Sequence, residues 1–453
     1  MAKGTLIKST SGIRGIVGHG LDTTIVEDYA KAFGTFVKKG KVVVGRDSRQ
    51  SGEMLRKAVL KGLSSVGIDI IYLGIVPTPT VEIAVKELKA AAGICITASH
   101  NPGEWNALKF FNREGEFITS DEFEQIEDIY NNKRFTLKPP TKFGKVKQQS
   151  GWIEKHVSKT LKLKAVNKAA VRKAKFKVVV DAINGAGSVA LPLLLMKLGA
   201  KITKINCKPN GNFVHEPEPT PQNLEQLCDA VKKHKADFGL ACDPDADRLA
   251  IVDETGTPLG EELTLAIAVR EALNFKKGPA VINLSTSKVT ADEAIKAAVP
   301  LYYSKVGESN VVELIRKKKA VIGGEGNGGV IYPAFHAGRD ALVAAALVLS
   351  CLARSKMKMS KFAETFTKYY TIKAKAAIGP DFAERLKKFE SDIKTFVQQP
   401  TFNNIDGLRV DFLEGWLLIR KSNTEPIFRV MVETKNEKAS LTLSKQIMDY
   451  FTS

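Results

Sequence analysis

The feature that most constrains this chain is a pattern met three times: a short β-branched run, a loop of small residues, an amphipathic helix and a second strand. Lys41-Val-Val-Val-Gly-Arg-Asp-Ser-Arg49 leads through a helical stretch ending near Leu63 to the strand Ile68–Leu73. Phe176-Lys-Val-Val-Val-Asp-Ala-Ile-Asn-Gly-Ala-Gly187 leads through a Leu-rich helix to Lys201–Ile205, and Ala280-Val-Ile-Asn-Leu-Ser-Thr-Ser287 leads through Val289–Ala298 to Leu301–Tyr303. Such runs are the signature of βαβ units, whose parallel strands are buried on both faces. They predict three related α/β domains with mixed, mostly parallel sheets. The end of the chain differs. After Lys-rich helices expected over Lys356–Gln399, the runs Gly407–Phe412, Gly415–Arg420 and Ile427–Glu433 read as antiparallel strands, and Lys438–Tyr450 as a closing helix. That is an α+β module. Boundaries are expected in the Pro- and Lys-rich Leu137–Gln149, after the turn Asp253-Glu-Thr-Gly256 and around Tyr370–Pro380, giving domains 1–149, 150–255, 256–369 and 370–453.

The length, 453 residues, fits several cores and not one. The longest apolar stretch, Ala341–Ala353, is shorter than the roughly 18 to 20 residues that cross a bilayer, so no membrane association is expected. The N-terminal residues show no apolar signal-peptide core, and the five cysteines form no C-x-x-C pair. A reducing cytoplasm is the expected location. The net charge of +19 admits nucleic acid or anionic small molecules as partners. Because the lysines are spread in ones to threes without interleaved aromatics, no nucleic-acid role is expected.

Four segments carry chemistry. Thr97-Ala-Ser-His-Asn-Pro-Gly103 follows the strand-like Ala91–Ile96. Its Ser-His pair is either a hydroxyl nucleophile awaiting a base or metal, or a capped turn, and no G-x-S-x-G elbow is present here. Asp243-Pro-Asp-Ala-Asp-Arg248 lies between two strand-like runs. Three carboxylates at alternate positions repel one another unless a hard cation neutralises them. An EF-hand is disfavoured, since Arg248 stands where the turn glycine belongs, and an Mg²⁺ site open to a phosphate fits better. Gly323-Gly-Glu-Gly-Asn-Gly-Gly329 is either a structural turn or a loop whose Glu325 and Asn327 meet sugar hydroxyls. Arg420-Lys-Ser-Asn-Thr-Glu-Pro-Ile-Phe-Arg429 is a basic hairpin loop with the forked charge and neutral donors a phosphate dianion requires.

These segments occur once each, one per expected domain, and together they resemble the α-D-phosphohexomutase superfamily over essentially the whole chain. The resemblance implies four domains around a central cleft and interconversion of hexose 6-phosphate and 1-phosphate. It implies that Ser99 is the phosphoserine, completing an Mg²⁺ site with Asp243, Asp245 and Asp247. It places His100 and Lys109 at the proton transfers, Arg14 and Arg248 at the phosphoryl group, and Glu325, Asn327 and Glu308 at the sugar. Arg420, Ser422, Asn423, Thr424 and Arg429 would hold the phosphate that is not being transferred. A hexose 1,6-bisphosphate is the implied activator, and the protein is expected to be a monomer or homodimer.

Two departures touch the substrate. Many relatives have His where this chain has Glu308, and the third loop ends in Asn-Gly-Gly instead of Ser-Gly-His. Among members, phosphoglucosamine mutases are the nearest in motif, so glucosamine 6-phosphate is the expected substrate, and a cleft-facing Glu308 would favour a sugar ammonium. A phosphomannomutase/phosphoglucomutase is the alternative within the superfamily. A non-catalytic sugar-phosphate sensor is the alternative outside it.

Overall fold

The computed structural model of the chain describes residues 6–422 and 426–452. It contains four sheets, and the first three share one four-strand pattern. In the second sheet, Lys201–Ile205 and Phe238–Cys242 flank Lys177–Asp181 in parallel, and Leu249–Asp253 adds antiparallel to Phe238–Cys242. The third sheet repeats this with Leu301–Ser304, Ala280–Asn283, Ile322–Glu325 and Gly329–Ile331. The first repeats it with Asp69–Ile75, Lys41–Arg46, Ala92–Ile96 and Trp105–Phe111, then extends it through Gly12–Val17 and short strands at both edges. The expected α/β architecture with mixed, mostly parallel sheets is therefore present.

Burial follows from composition. Val42–Val44, Val178–Val180 and Phe238–Cys242 are buried on both faces, as the centre of a parallel sheet demands. The second and third units share one continuous core, threaded by the helix Ala341–Ser355, whose side chains are apolar on every face from Ala341 to Leu349. Asp340 caps that helix by accepting from the N–H groups of Leu342 and Val343. No helix among the described residues is long and apolar enough to cross a membrane.

The C-terminal sheet is antiparallel, as expected, but it has five strands where three were expected, and one further expectation fails. The stretch Lys356–Gln399 is not wholly helical: Tyr370–Ala377 is a strand paired along its whole length with Ile427–Thr434. Alternation explains this. Lys373 and Lys375 are exposed while Ala374 and Ala376 pack on the core, a period of two that outweighs the helix propensity of lysine and alanine.

One face of this sheet packs with the helices Phe382–Asp392 and Glu437–Thr452, while the other docks on the third unit. Arg409 anchors the dock. Its buried guanidinium lies 4.2 Å from the Trp416 ring centroid and 4.7 Å from that of Tyr303, and donates to the carbonyl of Leu284. Glu433 accepts from the Trp416 indole (2.7 Å) and from the backbone of Lys288 (2.8 Å). Replacing Arg409 removes the cation over both rings and strands a buried carbonyl. Arg409→Met is expected to cost about 2 kcal/mol. It should also make the C-terminal unit the first fragment released in limited proteolysis. An unchanged melting temperature and cleavage pattern would refute this role.

Candidate active site

In each of the first three units the third strand of the shared pattern and its antiparallel neighbour are joined by a loop, and each loop carries one of the singled-out segments. Ser99 follows Ala92–Ile96, the aspartates follow Phe238–Cys242, and Glu325 ends Ile322–Glu325 with Asn327 in the turn beyond.

The Ser99 loop is clamped from within. Ser99 is buried in a left-handed conformation (φ +50°), which costs an L-residue about 1 kcal/mol and needs support. Arg49 supplies it: its buried guanidinium donates to the carbonyls of Ser99, Asn101, Pro102 and Trp105. Asp47 holds Arg49 (3.0 Å) and accepts from Thr97, whose Oγ1 in turn accepts from the Ser99 N–H.

The aspartate loop is held by all three α/β units through consecutive carbonyls. Pro244 accepts from Ala186 of its own unit, Asp245 from Thr78 of the first, and Ala246 from Ala341 of the third. The carboxylates divide their oxygens in a consistent way. Asp243 Oδ1 accepts from the N–H groups of Asp247 and Arg248, leaving Oδ2 to accept from the Ser99 hydroxyl at 2.8 Å. Asp245 Oδ2 accepts from Thr78 and Lys109, and Asp247 Oδ2 from Arg339 and Lys109. Asp245 Oδ1 and Asp247 Oδ1 are buried without a hydrogen-bond partner among the described residues. One oxygen from each aspartate lies within 4.8 Å of the others. Two orphaned carboxylate oxygens beside a third and a hydroxyl are a donor set suited to a hard divalent cation.

Burying this much charge shifts every group. Burial, with the charges of Asp247 and Asp245, pushes Asp243 well above the usual carboxylate range. Burial acts the same way on Asp247, but Arg339, Lys109 and Arg248 outweigh it and hold that carboxyl well below its usual value. Lys109 stays protonated because Asp245 and Asp247 outweigh its desolvation. Burial, reinforced by Arg248, Arg339 and Arg14 and opposed by Asp247, drives His100 well below its ordinary pKa. Its Nδ1 lies 3.5 Å from Ser99 Oγ. Ser99, His100, Lys109, Arg14, Arg248 and the three aspartates are thus brought together.

The third unit joins through Arg339, which the sequence reading missed. Its buried guanidinium pairs with Asp247 (2.7 Å), Glu325 (2.7 Å) and Glu308 (3.0 Å), and its N–H donates to Glu308. Glu308 is therefore committed to Arg339, and burial raises its carboxyl to about 7. A cleft-facing Glu308 was expected to favour a sugar ammonium; here its carboxylate is engaged by Arg339. Glu325 also accepts from Asn283 and from the N–H of Gly307, while Asn327 closes its own turn by accepting from the Gly329 N–H. Arg420 pairs with Asp406 (3.7 Å), which accepts from the Val306 N–H beside Glu308. Ser422 donates its N–H to the Ile427 carbonyl, and Arg429 lies directly opposite Arg420 in strand register. Asn423 and Thr424 fall outside the described residues.

Beneath the site, a buried network ties the units together. Asp340 accepts from His156 (2.8 Å) and His336 (2.9 Å), His336 also faces Glu82 (3.1 Å), and His156 meets Thr80 (2.9 Å). Desolvation opposes protonation of His336, but Asp340 and Glu82 outweigh it and raise the imidazole to about 10. A raised folded-state pKa stabilises fully below the unfolded value near 6.5, and the gain is lost as pH climbs through about 10. The melting temperature of the wild type is thus expected to fall more steeply between pH 7 and pH 10 than that of His336→Gln. Parallel declines would remove His336 from this account.

A buried acidic triplet beside a serine hydroxyl, ringed by cations from three repeated units, is a constellation suited to a hard cation and a phosphoryl group. Comparison with known proteins agrees. The chain matches the phosphoglucomutase/phosphomannomutase family: alpha/beta/alpha domain I over residues 5–137, domain II over 154–256, domain III over 260–370 and the C-terminal domain over 372–449. It is 35% identical to a phosphoglucomutase/phosphomannomutase of Thermococcus kodakarensis, over 95% of this chain and 94% of that one. It is 34% identical to a probable phosphoglucosamine mutase of Pyrococcus abyssi, over 96% of each. A solved phosphoglucomutase/phosphomannomutase family protein of Burkholderia thailandensis superposes with a TM-score of 0.84 at 26% identity, covering 98% of this chain and 97% of that one. The chain belongs to the phosphoglucomutase/phosphomannomutase family, within the α-D-phosphohexomutases, and is an intramolecular phosphotransferase.

Proposed function

We propose that the enzyme interconverts hexose 6-phosphate and 1-phosphate through a phosphoserine at Ser99, with glucosamine 6-phosphate as the preferred substrate. The observation that carries the mechanism is the Ser99 hydroxyl at 2.8 Å from Asp243, in a buried cluster with two orphaned carboxylate oxygens. Asp243, Asp245 and Asp247, with the phosphate on Ser99, would hold Mg²⁺, which supplies positive charge to the phosphoryl oxygens. In the first transfer a sugar hydroxyl oxygen bonds to phosphorus while the bond from phosphorus to Ser99 Oγ breaks. One proton passes from the sugar hydroxyl to Ser99 Oγ, with His100 beside that oxygen. The sugar 1,6-bisphosphate then turns end for end, and the reverse step returns a phosphoryl group to Ser99. Arg14, Arg248 and Lys109 neutralise the group in transit, since phosphoryl transfer is mainly positioning and charge stabilisation. Arg420 and Arg429, with Ser422, Asn423 and Thr424, hold the other phosphate, and Glu325 and Asn327 face the sugar. A free hexose 1,6-bisphosphate primes enzyme that has lost its phosphate.

Ser99→Ala is expected to lose a phosphate-sized mass increment and to turn over at background rate. Full activity of that variant would overturn the phosphoserine reading. The substrate assignment is supported by the probable phosphoglucosamine mutase relative and by the Ser-Asn-Thr-Glu-Pro and Glu-Gly-Asn-Gly-Gly segments. The T. kodakarensis relative supports the second reading, a mannose or glucose phosphomutase. We expect kcat/KM to be highest for glucosamine 6-phosphate when it is compared with mannose and glucose 6-phosphates. A tenfold preference for either of the others, about 1.4 kcal/mol of transition-state binding, would replace the substrate and keep the mutase chemistry.

A further inference from the structure

The segment between the strand Lys201–Ile205 and the helix Glu225–His234 leaves the second unit and lies across the first. Gly211, with φ +71°, packs so tightly on the Ser48 carbonyl that a side chain could not fit, and Phe213 lies 5.0 Å from the Arg49 guanidinium that clamps the Ser99 loop. His215 anchors the segment to Asp181 at 3.2 Å, and Asn223 donates to the Glu218 carbonyl at 2.9 Å. The backbone of Glu218 is thereby set over the Ser99 loop. Its half-exposed carboxylate reaches Arg248 Nη1 at 3.2 Å, and the same oxygen lies 4.0 Å from His100 Nε2. On the opposite edge of that imidazole, Nδ1 lies 3.5 Å from Ser99 Oγ.

We propose that Glu218 is a positioning residue for proton transfer at Ser99, acting through His100. A carboxylate facing Nε2 favours the tautomer with its proton there and turns the lone pair of Nδ1 toward Ser99 Oγ, the role an acid plays behind any serine–histidine pair. The same oxygen holds Arg248 beside the phosphoryl path, so one side chain sets both the proton carrier and a cation. Apo distances of this kind shorten when substrate closes the site. The inference rests on the phosphoserine reading and deepens it. In the transfer from Ser99 the P–Oγ bond breaks as the bond from phosphorus to the sugar oxygen forms, and the proton of the sugar hydroxyl passes to His100 Nδ1 and from there to Oγ; in the return transfer both exchanges run in reverse. Glu218 exchanges no atom in this step.

The test is a double-mutant cycle read in single turnover. Phosphorylated wild type, Glu218→Gln, His100→Ala and the double variant are mixed with sugar 6-phosphate, and transfer from Ser99 is followed by rapid quench. Glu218→Gln is expected to slow transfer roughly tenfold to a hundredfold in the wild-type background and less than about twofold when His100 is already alanine. Dissociation constants for the sugar phosphate, measured in the Ser99→Ala background, should be unchanged or lower, since a negative charge beside Arg248 has been removed. Equal slowing in both backgrounds would overturn the proposal, as would weaker binding and a lower melting temperature with an unchanged transfer rate. Failure of the underlying reading looks different: Ser99→Ala would then still turn over, whereas an inactive Ser99→Ala with independent Glu218 and His100 effects would sink this inference alone.

Discussion

Three aspartates buried within a few ångströms of one another are the constraint around which the molecule is organised. Each charge removed from water carries a penalty of several kcal/mol unless it is paired, and the loop that bears them contains only one cation, Arg248. The others come from elsewhere. Lys109 arrives from the first unit and Arg339 from the third, and they take the Oδ2 oxygens of Asp245 and Asp247 while the Oδ1 oxygens keep no hydrogen-bond partner among the described residues. Consecutive carbonyls of the same loop accept from all three units. The interfaces between units and the electrostatics of the site are thus one set of interactions, and neither could be built without the other.

Repetition makes this possible. A pattern of three parallel strands and an antiparallel fourth creates a loop at the same topological position in each unit. The three loops carry different chemistry: a hydroxyl in one, three carboxylates that could hold a metal ion in the second, and a carboxylate and an amide in the third. The C-terminal unit, with an unrelated antiparallel sheet, attaches through Arg409 and Trp416, and Asp406 connects its basic loop to the strand end beside Glu308.

Much of this was legible beforehand because strand and loop signals are local. Lys201–Ile205, Phe238–Cys242 and Leu249–Asp253 were readable to the residue from β-branched and apolar runs, and the Asp-Pro-Asp-Ala-Asp spacing pointed to a charge cluster in need of cations by simple repulsion. Tyr370–Ala377 was misread because lysine and alanine favour helices, and only pairing with Ile427–Thr434 reveals why the alternation mattered. Glu308 was considered as a cleft-facing carboxylate because Arg339, which engages it, lies 31 positions away.

The amino-acid sequence by itself determined the strands and the chemistry-bearing loops, since each is a local signal, and the class of reaction followed from the four loops taken together. Tertiary structure alone decided who pairs with whom. Arg339 lies 92 positions from Asp247, and Thr78 lies 167 positions from Asp245. Glu218 meets His100 only because its segment crosses between units. Charge pairing acts through space with no sequence period to reveal it, and a buried ion pair takes whichever partner the packing of three cores delivers.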